Sequence, residues 1–270
     1  MNHNPFFSRP GPAGTNWHWR LRRWKRTFGN FFRSEGAPGH TGPSLTRIII
    51  FANLALYTLM VLQGTAAGLG LRPILSPTTY LLIHSGAQYW PLVLVEGEWW
   101  RCLTYAFTHG GLIHLAFNMV VLYQVGPLVE SEIGPSRFLF LYTLAALTGT
   151  AAGYFWHPMT PVVGASGSLF GLIGFAVAYY HRMGPPGHHI RNFMFQWAAF
   201  AFVFGLVVGA DNAGHLGGAL GGAALGLVLP LGVRGRRTAA PLFNLLGGLS
   251  LAAVLVSLAM LVISWFARSG

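Results

Sequence analysis

The stretch VVGASGSLFGLIGFAVAYY, residues 162–180, decides the fold class of this chain. It contains no charged side chain and has the length of a helix that crosses a bilayer, which needs about 20 apolar residues. Yet it carries Ser166 near its beginning, within the motif Gly164-Ala165-Ser166-Gly167. Polar groups are costly inside a membrane and mark functional sites there. The stretch therefore predicts a membrane-spanning helix that carries a reactive group.

The remaining chain has the composition of a multi-pass membrane protein. Of its 270 residues, 53% are hydrophobic and 9% are charged, and the mean hydropathy is +0.50. Soluble domains carry about 25% charged residues, so a soluble protein of this length is excluded. Seven apolar stretches are each long enough to supply a spanning helix. They are Ile48–Gly68, Leu112–Val129, Arg137–Trp156, Val162–Tyr180, Phe193–Gly209, Ala213–Leu231 and Leu242–Phe266.

This pattern predicts an all-α chain in three parts. Residues 1–44 form a basic tail, residues 45–232 a six-helix core with a long loop over 69–111, and residues 233–270 a seventh helix with a short tail. In the tail, Trp17, Trp19 and Trp24 are interleaved with arginines. Beside a membrane span, this composition favours binding to anionic lipid headgroups over binding to RNA, so we expect no nucleic-acid partner.

The distribution of basic residues predicts the orientation. If the N-terminus is cytoplasmic, fourteen of the 17 Lys and Arg residues fall on the inner side. This asymmetry fits the positive-inside rule. The second, fourth and sixth predicted helices then begin on the outer side. A compact chain without a convincing organelle signal leads us to expect a bacterial cytoplasmic membrane.

Three motifs near the starts of these helices supply the groups needed for acyl transfer. His114 and Asn118 are four residues apart and share one face of the second helix, Ser166 begins the fourth, and His215 begins the sixth. Their common depth suits a Ser166 nucleophile and a His215 base. His114, Asn118 and the backbone N–H of Ser166 would then stabilise an oxyanion. Phe170, one turn below Ser166, could stack on His215.

Simpler interpretations of these residues remain open. The glycines after Ser166 and His215 serve helix packing in any case, and His114 with Asn118 could join helices by hydrogen bonds. Asp211 lies four residues before His215 and is either a third catalytic residue or, as we favour, an N-terminal helix cap.

Several other polar residues are better explained without catalysis. We expect structural roles for His109 and Glu130, while Cys102 behaves as a small apolar side chain. Trp100-Arg101 ends the long loop, where the arginine could bind loop carbonyls and the tryptophan could anchor at the membrane interface. One inner loop contains three histidines, His181, His188 and His189. They are either metal ligands or side chains exposed to solvent, and their spacing favours the second interpretation. We expect no metal and no cofactor.

Taken together, these residues resemble the rhomboid family of intramembrane serine proteases. The resemblance covers roughly Ile48–Leu231. It is carried by Trp100-Arg101, His109, His114-x-x-x-Asn118, Glu130, Gly134, Gly164-x-Ser166-Gly167 and His215.

The resemblance implies a six-helix rhomboid-like bundle around a water-filled cavity, with a seventh transmembrane helix appended. It also implies a dyad of Ser166 and His215, with His114, Asn118 and the Ser166 N–H as oxyanion donors. Phe170 matches a position where an aromatic ring stacks on the histidine, and Gly164 and Gly167 complete the serine motif. Trp100-Arg101 matches a membrane-inserted loop with a structural role.

The expected activity is hydrolysis of peptide bonds in or near transmembrane segments of other proteins. One alternative is an inactive relative that binds transmembrane clients, although such relatives typically lack the serine or the histidine. A small transporter is a second alternative, but its polar groups should run through the whole membrane thickness. The expected partners are transmembrane substrates and anionic lipids; the oligomeric state stays open.

Overall fold

The described part of the chain is helical. The computed structural model describes residues 44–208 and 210–267, and within these ranges the one extended pairing is an antiparallel bridge between Gln88 and Val162. The all-α class is therefore confirmed, whereas the basic tail predicted over residues 1–44 lies almost wholly outside the described residues. The helices are α1 (Leu45–Gly64), α2 (Arg72–Leu75), α3 (Thr79–His84), α4 (Trp90–Leu94), α5 (Arg101–Thr104), α6 (Leu112–Ile133), α7 (Pro135–Trp156), α8 (Ser166–Arg182), α9 (His188–Val208), α10 (Asn212–Val228) and α11 (Val233–Ala267).

Four of these helices are long and apolar enough to cross a membrane. They are α1 with the π-helical turn that extends it to Leu69, α6, α7 and α11. Their outward faces are apolar: Phe51 of α1 is 68% exposed and Leu249 of α11 is 57% exposed. Such surfaces are stable against lipid and not against water. The shorter α8 and α10 have 17 residues each, so a count of seven spans stays a prediction.

Several helix boundaries differ from the sequence-based prediction, those of α8 and α11 among them. The stretch that begins at Val162 is not helical up to Ala165, and α8 starts only at Ser166. Val162 pairs with Gln88 in both directions, at 2.9 and 2.8 Å, and Gly164 has a φ of 120°, which a right-handed helix excludes. At the other end, α11 begins at Val233 instead of Leu242.

Glycines allow α8 and α10 to pack with their backbones in contact. A Cβ at Gly218 would overlap the carbonyl oxygen of Gly167, and one at Gly226 would lie 2.5 Å from the carbonyl oxygen of Phe175. Contacts that advance along both helices together show that α8 and α10 are parallel. Both helices therefore begin at the same end of the bundle.

Helix α7 packs antiparallel against this pair. Near its C-terminus, a Cβ at Gly149 would lie 2.9 Å from the carbonyl oxygen of Gly214, at the start of α10. Nearer its N-terminus, the carbonyl oxygen of Tyr142 accepts a hydrogen bond from the Ser168 hydroxyl at 2.9 Å. Helix α11 covers the outer face of α7 and also contacts α5.

The sequence predicts a common depth for three motifs, and the fold places them at one end. Ser166 begins α8, and His114 and His215 lie in the first turns of α6 and α10. Basic residues gather at the opposite end, where Arg182 at the end of α8 donates to the carbonyls of Gly226 and Leu229, each at 2.8 Å. The polar motifs and Arg182 therefore occupy opposite ends of the bundle.

Candidate functional site

The local backbone presents Ser166 at the first position of α8. The chain reaches this position through an extended segment that is held by a hydrogen bond from the Gly164 N–H to the Tyr105 carbonyl, at 2.9 Å. Because Ser166 starts the helix, its backbone N–H has no acceptor within the helix and lies at the positive end of the helix dipole. Its side chain is half-buried and lines a cavity.

His215 lies in the first turn of α10 and is held there by an aromatic ring. It is 5% exposed, and its imidazole stacks on Phe170 with centroids 4.3 Å apart and planes inclined by 16°. The stacking expected from the sequence is therefore confirmed. Among the described residues, neither ring nitrogen has a hydrogen-bond partner, Ser166 included. Both nitrogens are buried, and His215 is not among the residues that line the cavity beside Ser166; catalytic hydrogen bonds are often formed only in the complex with substrate.

A cavity of about 570 Å³ opens beside Ser166. Its wall includes the first turn of α6, the segment before α8, the end of α9 and the connection into α10. The residues that line it are Leu75, Gly110, Gly111, Ile113, His114, His157, Thr160, Pro161, Val162, Val163, Ser166, Phe204, Ala210 and Asp211. This space can admit a short extended segment of polypeptide.

The surroundings of His114 fix which of its nitrogens carries the proton. The backbone N–H of Gly110 donates to Nδ1 at 3.3 Å, so a neutral His114 carries its proton on Nε2. A Cβ on Gly164 would lie 2.7 Å from that Nε2, which therefore sits close against the segment that leads to Ser166. This geometry suits a donor directed at the reacting end of the cavity.

Asn118 takes a different position from the one expected of an oxyanion donor. It is buried, and its side-chain NH₂ donates to the carbonyl of His114 at 2.9 Å, within its own helix. It is absent from the residues that line the cavity described above. Its role as an oxyanion donor therefore stays a prediction.

Asp211 caps α10, as favoured from the sequence. Its carboxylate accepts the backbone N–H of Gly214 at 2.8 Å, which satisfies one of the free donors of the first turn. The same oxygen lies 2.6 Å from Nε2 of His157, whereas no hydrogen bond joins it to the ring of His215 within the described residues. The arrangement thus differs from a Ser-His-Asp triad. Sequence reasoning missed His157, because an isolated histidine after a helix belongs to no motif.

The loop that ends at Trp100-Arg101 is organised by the arginine. Its guanidinium is fully buried and donates to the carbonyls of Ile83 and Ala87 at 2.6 and 2.9 Å, as expected, and pairs with Glu98 at 2.5 Å. The expected interfacial anchor at Trp100 is wrong: this ring is 3% exposed and lies under the guanidinium, 4.5 Å away. A buried cation needs acceptors around it, and an aromatic face adds a favourable electrostatic contact. The Trp100 ring therefore packs inward against the Arg101 guanidinium.

The other polar residues singled out in the sequence have structural surroundings. The Glu130 carboxylate accepts from the N–H groups of Leu45 and Thr46, at 2.7 and 3.0 Å, and so completes the first turn of α1. His109 is fully buried, edge-on to His114; burial and that neighbouring ring lower the pKa of His109 to about 3, so its ring is neutral at ordinary pH. Burial also raises the pKa of the Cys102 thiol to about 11, which makes it unreactive.

The inner-loop histidines lie on the surface, away from the cavity. His188 and His189 begin α9 and are exposed, and His181 is exposed beside the Arg191 guanidinium, with Nδ1 and Nη1 3.3 Å apart. In the described part of the chain, no three His, Cys, Asp or Glu side chains are grouped as metal ligands.

Comparison with known proteins identifies the family. A family model for the rhomboid domain matches residues 96–232, half of the chain, and this region includes Ser166, His215, His114 and Asn118. The chain is 35% identical over 205 residues to the rhomboid protease GluP of Bacillus subtilis (strain 168), covering 72% of this chain and 38% of that protein.

Two further relatives show the range of the family. Rhomboid-like protease 1 of Toxoplasma gondii is 33% identical over 163 residues, which cover 57% of this chain and 55% of that protein. The inactive RHOMBOID-like protein 8 of Arabidopsis thaliana is 30% identical over 149 residues, which cover 54% of this chain and 42% of that protein. The chain thus spans 38–55% of the length of these relatives. Its apolar helices and the family match together show that the chain is an integral membrane protein and belongs to the rhomboid family.

Proposed function

We propose that this protein is an intramembrane serine protease in which Ser166 is the nucleophile and His215 the general base. The observation that carries the proposal is the convergence at one end of the bundle: Ser166 and His114 line one cavity, and the ring of His215 is stacked one turn below Ser166, on Phe170. Curated relatives named rhomboid proteases support this activity. The proposed arrangement is a six-helix catalytic core, residues 45–232, with α11 as an additional seventh span.

The proposed reaction proceeds through an acyl-enzyme. A transmembrane substrate places an extended peptide bond in the cavity, the Ser166 oxygen attacks its carbonyl carbon, and His215 takes the serine proton. The N–H of Ser166, Nε2–H of His114 and the amide of Asn118 stabilise the oxyanion. His215 then protonates the leaving amine, and water, activated by His215, hydrolyses the acyl-enzyme and regenerates Ser166.

The proposed orientation follows from the two ends of the bundle. The basic end, with Arg137, Arg182 and Arg236, faces the cytoplasm, and the end with Ser166 opens to the outer side. Substrates are then membrane proteins that cross the bilayer beside the cavity. A bacterial cytoplasmic membrane stays a prediction, since relatives occur in Bacillus subtilis, Toxoplasma gondii and Arabidopsis thaliana alike.

The test of the proposed function is active-site labelling with cleavage. The purified chain, in liposomes with a single-pass transmembrane reporter, should react with a fluorophosphonate and cut the reporter. Ser166→Ala should lose both activities, and His215→Ala should lose cleavage. Ser168→Ala, which removes a buried hydroxyl on the same helix, is the matched control and should keep both, with a loss of about 1 kcal/mol in stability.

Two outcomes would contradict the proposal. Equal labelling of the unaltered protein and Ser166→Ala would exclude Ser166 as the nucleophile. Absence of labelling and cleavage in the unaltered protein would favour the alternative of an inactive client-binding relative, in line with the unpartnered nitrogens of His215 and with the inactive Arabidopsis thaliana relative.

A further inference from the structure

A histidine–aspartate pair in the wall of the cavity links the end of α7 to the start of α10. His157 is the C-cap residue that directly follows α7, and Asp211 is the N-cap residue that directly precedes α10. His157 Nε2 and Asp211 Oδ1 are 2.6 Å apart, and both partly exposed side chains line the cavity. A contact this short between two partly buried side chains is a strong hydrogen bond, and a carboxylate acceptor makes such a bond charge-assisted.

Each partner of this pair is fixed to its own helix. The N–H of His157 donates to the Gly153 carbonyl at 2.9 Å, so His157 is part of the last turn of α7. Asp211 holds the first turn of α10 twice: its side chain accepts the Gly214 N–H at 2.8 Å, and its carbonyl accepts the N–H of His215 at 3.0 Å. The position of the His215 backbone therefore depends directly on Asp211, and through it on His157.

The ring of His215 needs such a backbone restraint. Its described contacts include stacking on Phe170, but neither ring nitrogen is hydrogen-bonded. Parallel stacking resists tilting of a ring but opposes sliding in its own plane only weakly. Helix α9 also lies against the ring, since a Cβ at Gly205 would be 3.4 Å from its Cε1, but this contact adds no hydrogen bond to either nitrogen. The distance between His215 and Ser166 therefore depends on where the first turn of α10 is held.

We propose that His157 is a positioning residue: by binding Asp211 it locks the start of α10 to the end of α7 and holds the His215 ring in reach of Ser166. This inference rests on the proposed protease function. A misplaced general base slows the chemical step, so the loss should fall mainly on kcat. Because both side chains also line the cavity, a smaller change in KM is expected beside it.

The experiment is a double-mutant cycle measured on cleavage of the transmembrane reporter in liposomes. His157→Ala removes the donor, and Asp211→Ser keeps a cap for Gly214 but is too short to reach His157. Each should lower kcat about tenfold, which corresponds to about 1.4 kcal/mol, with a smaller change in KM, and the double variant should be no slower than either single one. His157→Gln keeps an N–H donor and should recover kcat to within about threefold of the unaltered protein. His188→Ala, at an exposed histidine of α9, is the control and should keep full kcat.

The outcomes separate the inference from the function on which it rests. Full kcat in His157→Ala, or additive losses in the double variant, would overturn the positioning role while the protease function stands. A loss that follows a fall in Tm and is not recovered by His157→Gln would show a merely structural pair and would also overturn it. No Ser166-dependent cleavage by the unaltered protein would overturn the proposed function and this inference with it.

Discussion

At the scale of single residues, Gly164 lies between Ser166, the proposed nucleophile, and His114, a proposed oxyanion donor. Its φ of 120° lies in the region that side-chain-bearing residues rarely adopt, and the turn it makes brings the chain from the bridge at Val162 into α8 at Ser166. A Cβ at this position would lie 2.7 Å from both Cε1 and Nε2 of His114. Glycine is therefore required both for the backbone angle and for the space beside His114.

Gly164→Ala should inactivate the protein more than it destabilises it. The unfavourable φ costs about 1–2 kcal/mol, and the new methyl group displaces His114, so cleavage should fall about 10²–10³-fold. Reporter cleavage and Tm would be measured together. Gly184→Ala is the matched control, because Gly184 also has a positive φ, 71°, but nothing within 4 Å of its Cβ position. Similar activity in the two variants would show either that the methyl group does not displace His114 or that His114 does not contribute to cleavage.

At the scale of helices, the contact between α8 and α10 sets the spacing of the site. Gly218 lies one turn beyond His215, and its Cα rests against the carbonyl of Gly167, the neighbour of Ser166. Because two backbones touch here without an intervening side chain, any added volume separates the two helices that carry Ser166 and His215, the proposed nucleophile and base.

Gly218→Ala should therefore reduce both activity and stability. Its methyl group would overlap the Gly167 oxygen, and overpacking of this kind costs about 1–3 kcal/mol. Gly248→Ala provides the control, since this helical glycine of α11 has open space around its Cβ position and alanine favours a helix. The readouts are the Tm and the rate of reporter cleavage. A Gly218→Ala variant as active and as stable as Gly248→Ala would contradict the packing argument.

Helix periodicity and motif spacing were sufficient to predict the helical class and the cap at Asp211, because both depend on neighbours within one or two turns. The stack of Phe170 on His215 joins two helices and followed from the common depth expected for Ser166 and His215. Periodicity and spacing were insufficient where the position of a side chain depends on the path of a loop. Trp100 turned inward under Arg101, and His157 reached Asp211 from another helix. The start of α8 was also missed, since the bridge between Val162 and Gln88 joins positions 74 residues apart in the sequence.

At the scale of the whole molecule, α11 is attached to the core at both of its ends. Near its start, Arg236 donates to the carbonyl and the carboxylate of Glu132 at 2.8 and 2.7 Å. Near its end, the indole N–H of Trp265 donates to the carbonyl of His84 at 2.8 Å. The division into a core and an appended helix stays a prediction, but these contacts indicate that α11 supports the loop and the core together.

Arg236→Ala should lower stability and leave the chemistry intact. It removes two bonds to Glu132 at the end of the bundle opposite to Ser166, and we expect a loss of about 1–2 kcal/mol, since both side chains are partly exposed. Tm should fall by several degrees, while kcat at low temperature stays unchanged. Arg234→Ala, at an exposed position two residues earlier, is the control. An unchanged Tm in Arg236→Ala would mean that α11 is held by apolar packing alone.

The contact between Glu130 and the start of α1 has a consequence for the order of assembly. The first turn of α1 obtains its acceptor from a residue 85 positions further along the chain. During synthesis, this turn leaves the ribosome long before Glu130 does, and its N–H groups must meanwhile bind water or lipid headgroups. The first span is therefore completed only when the second has been inserted beside it, so these two helices reach their final form as a pair.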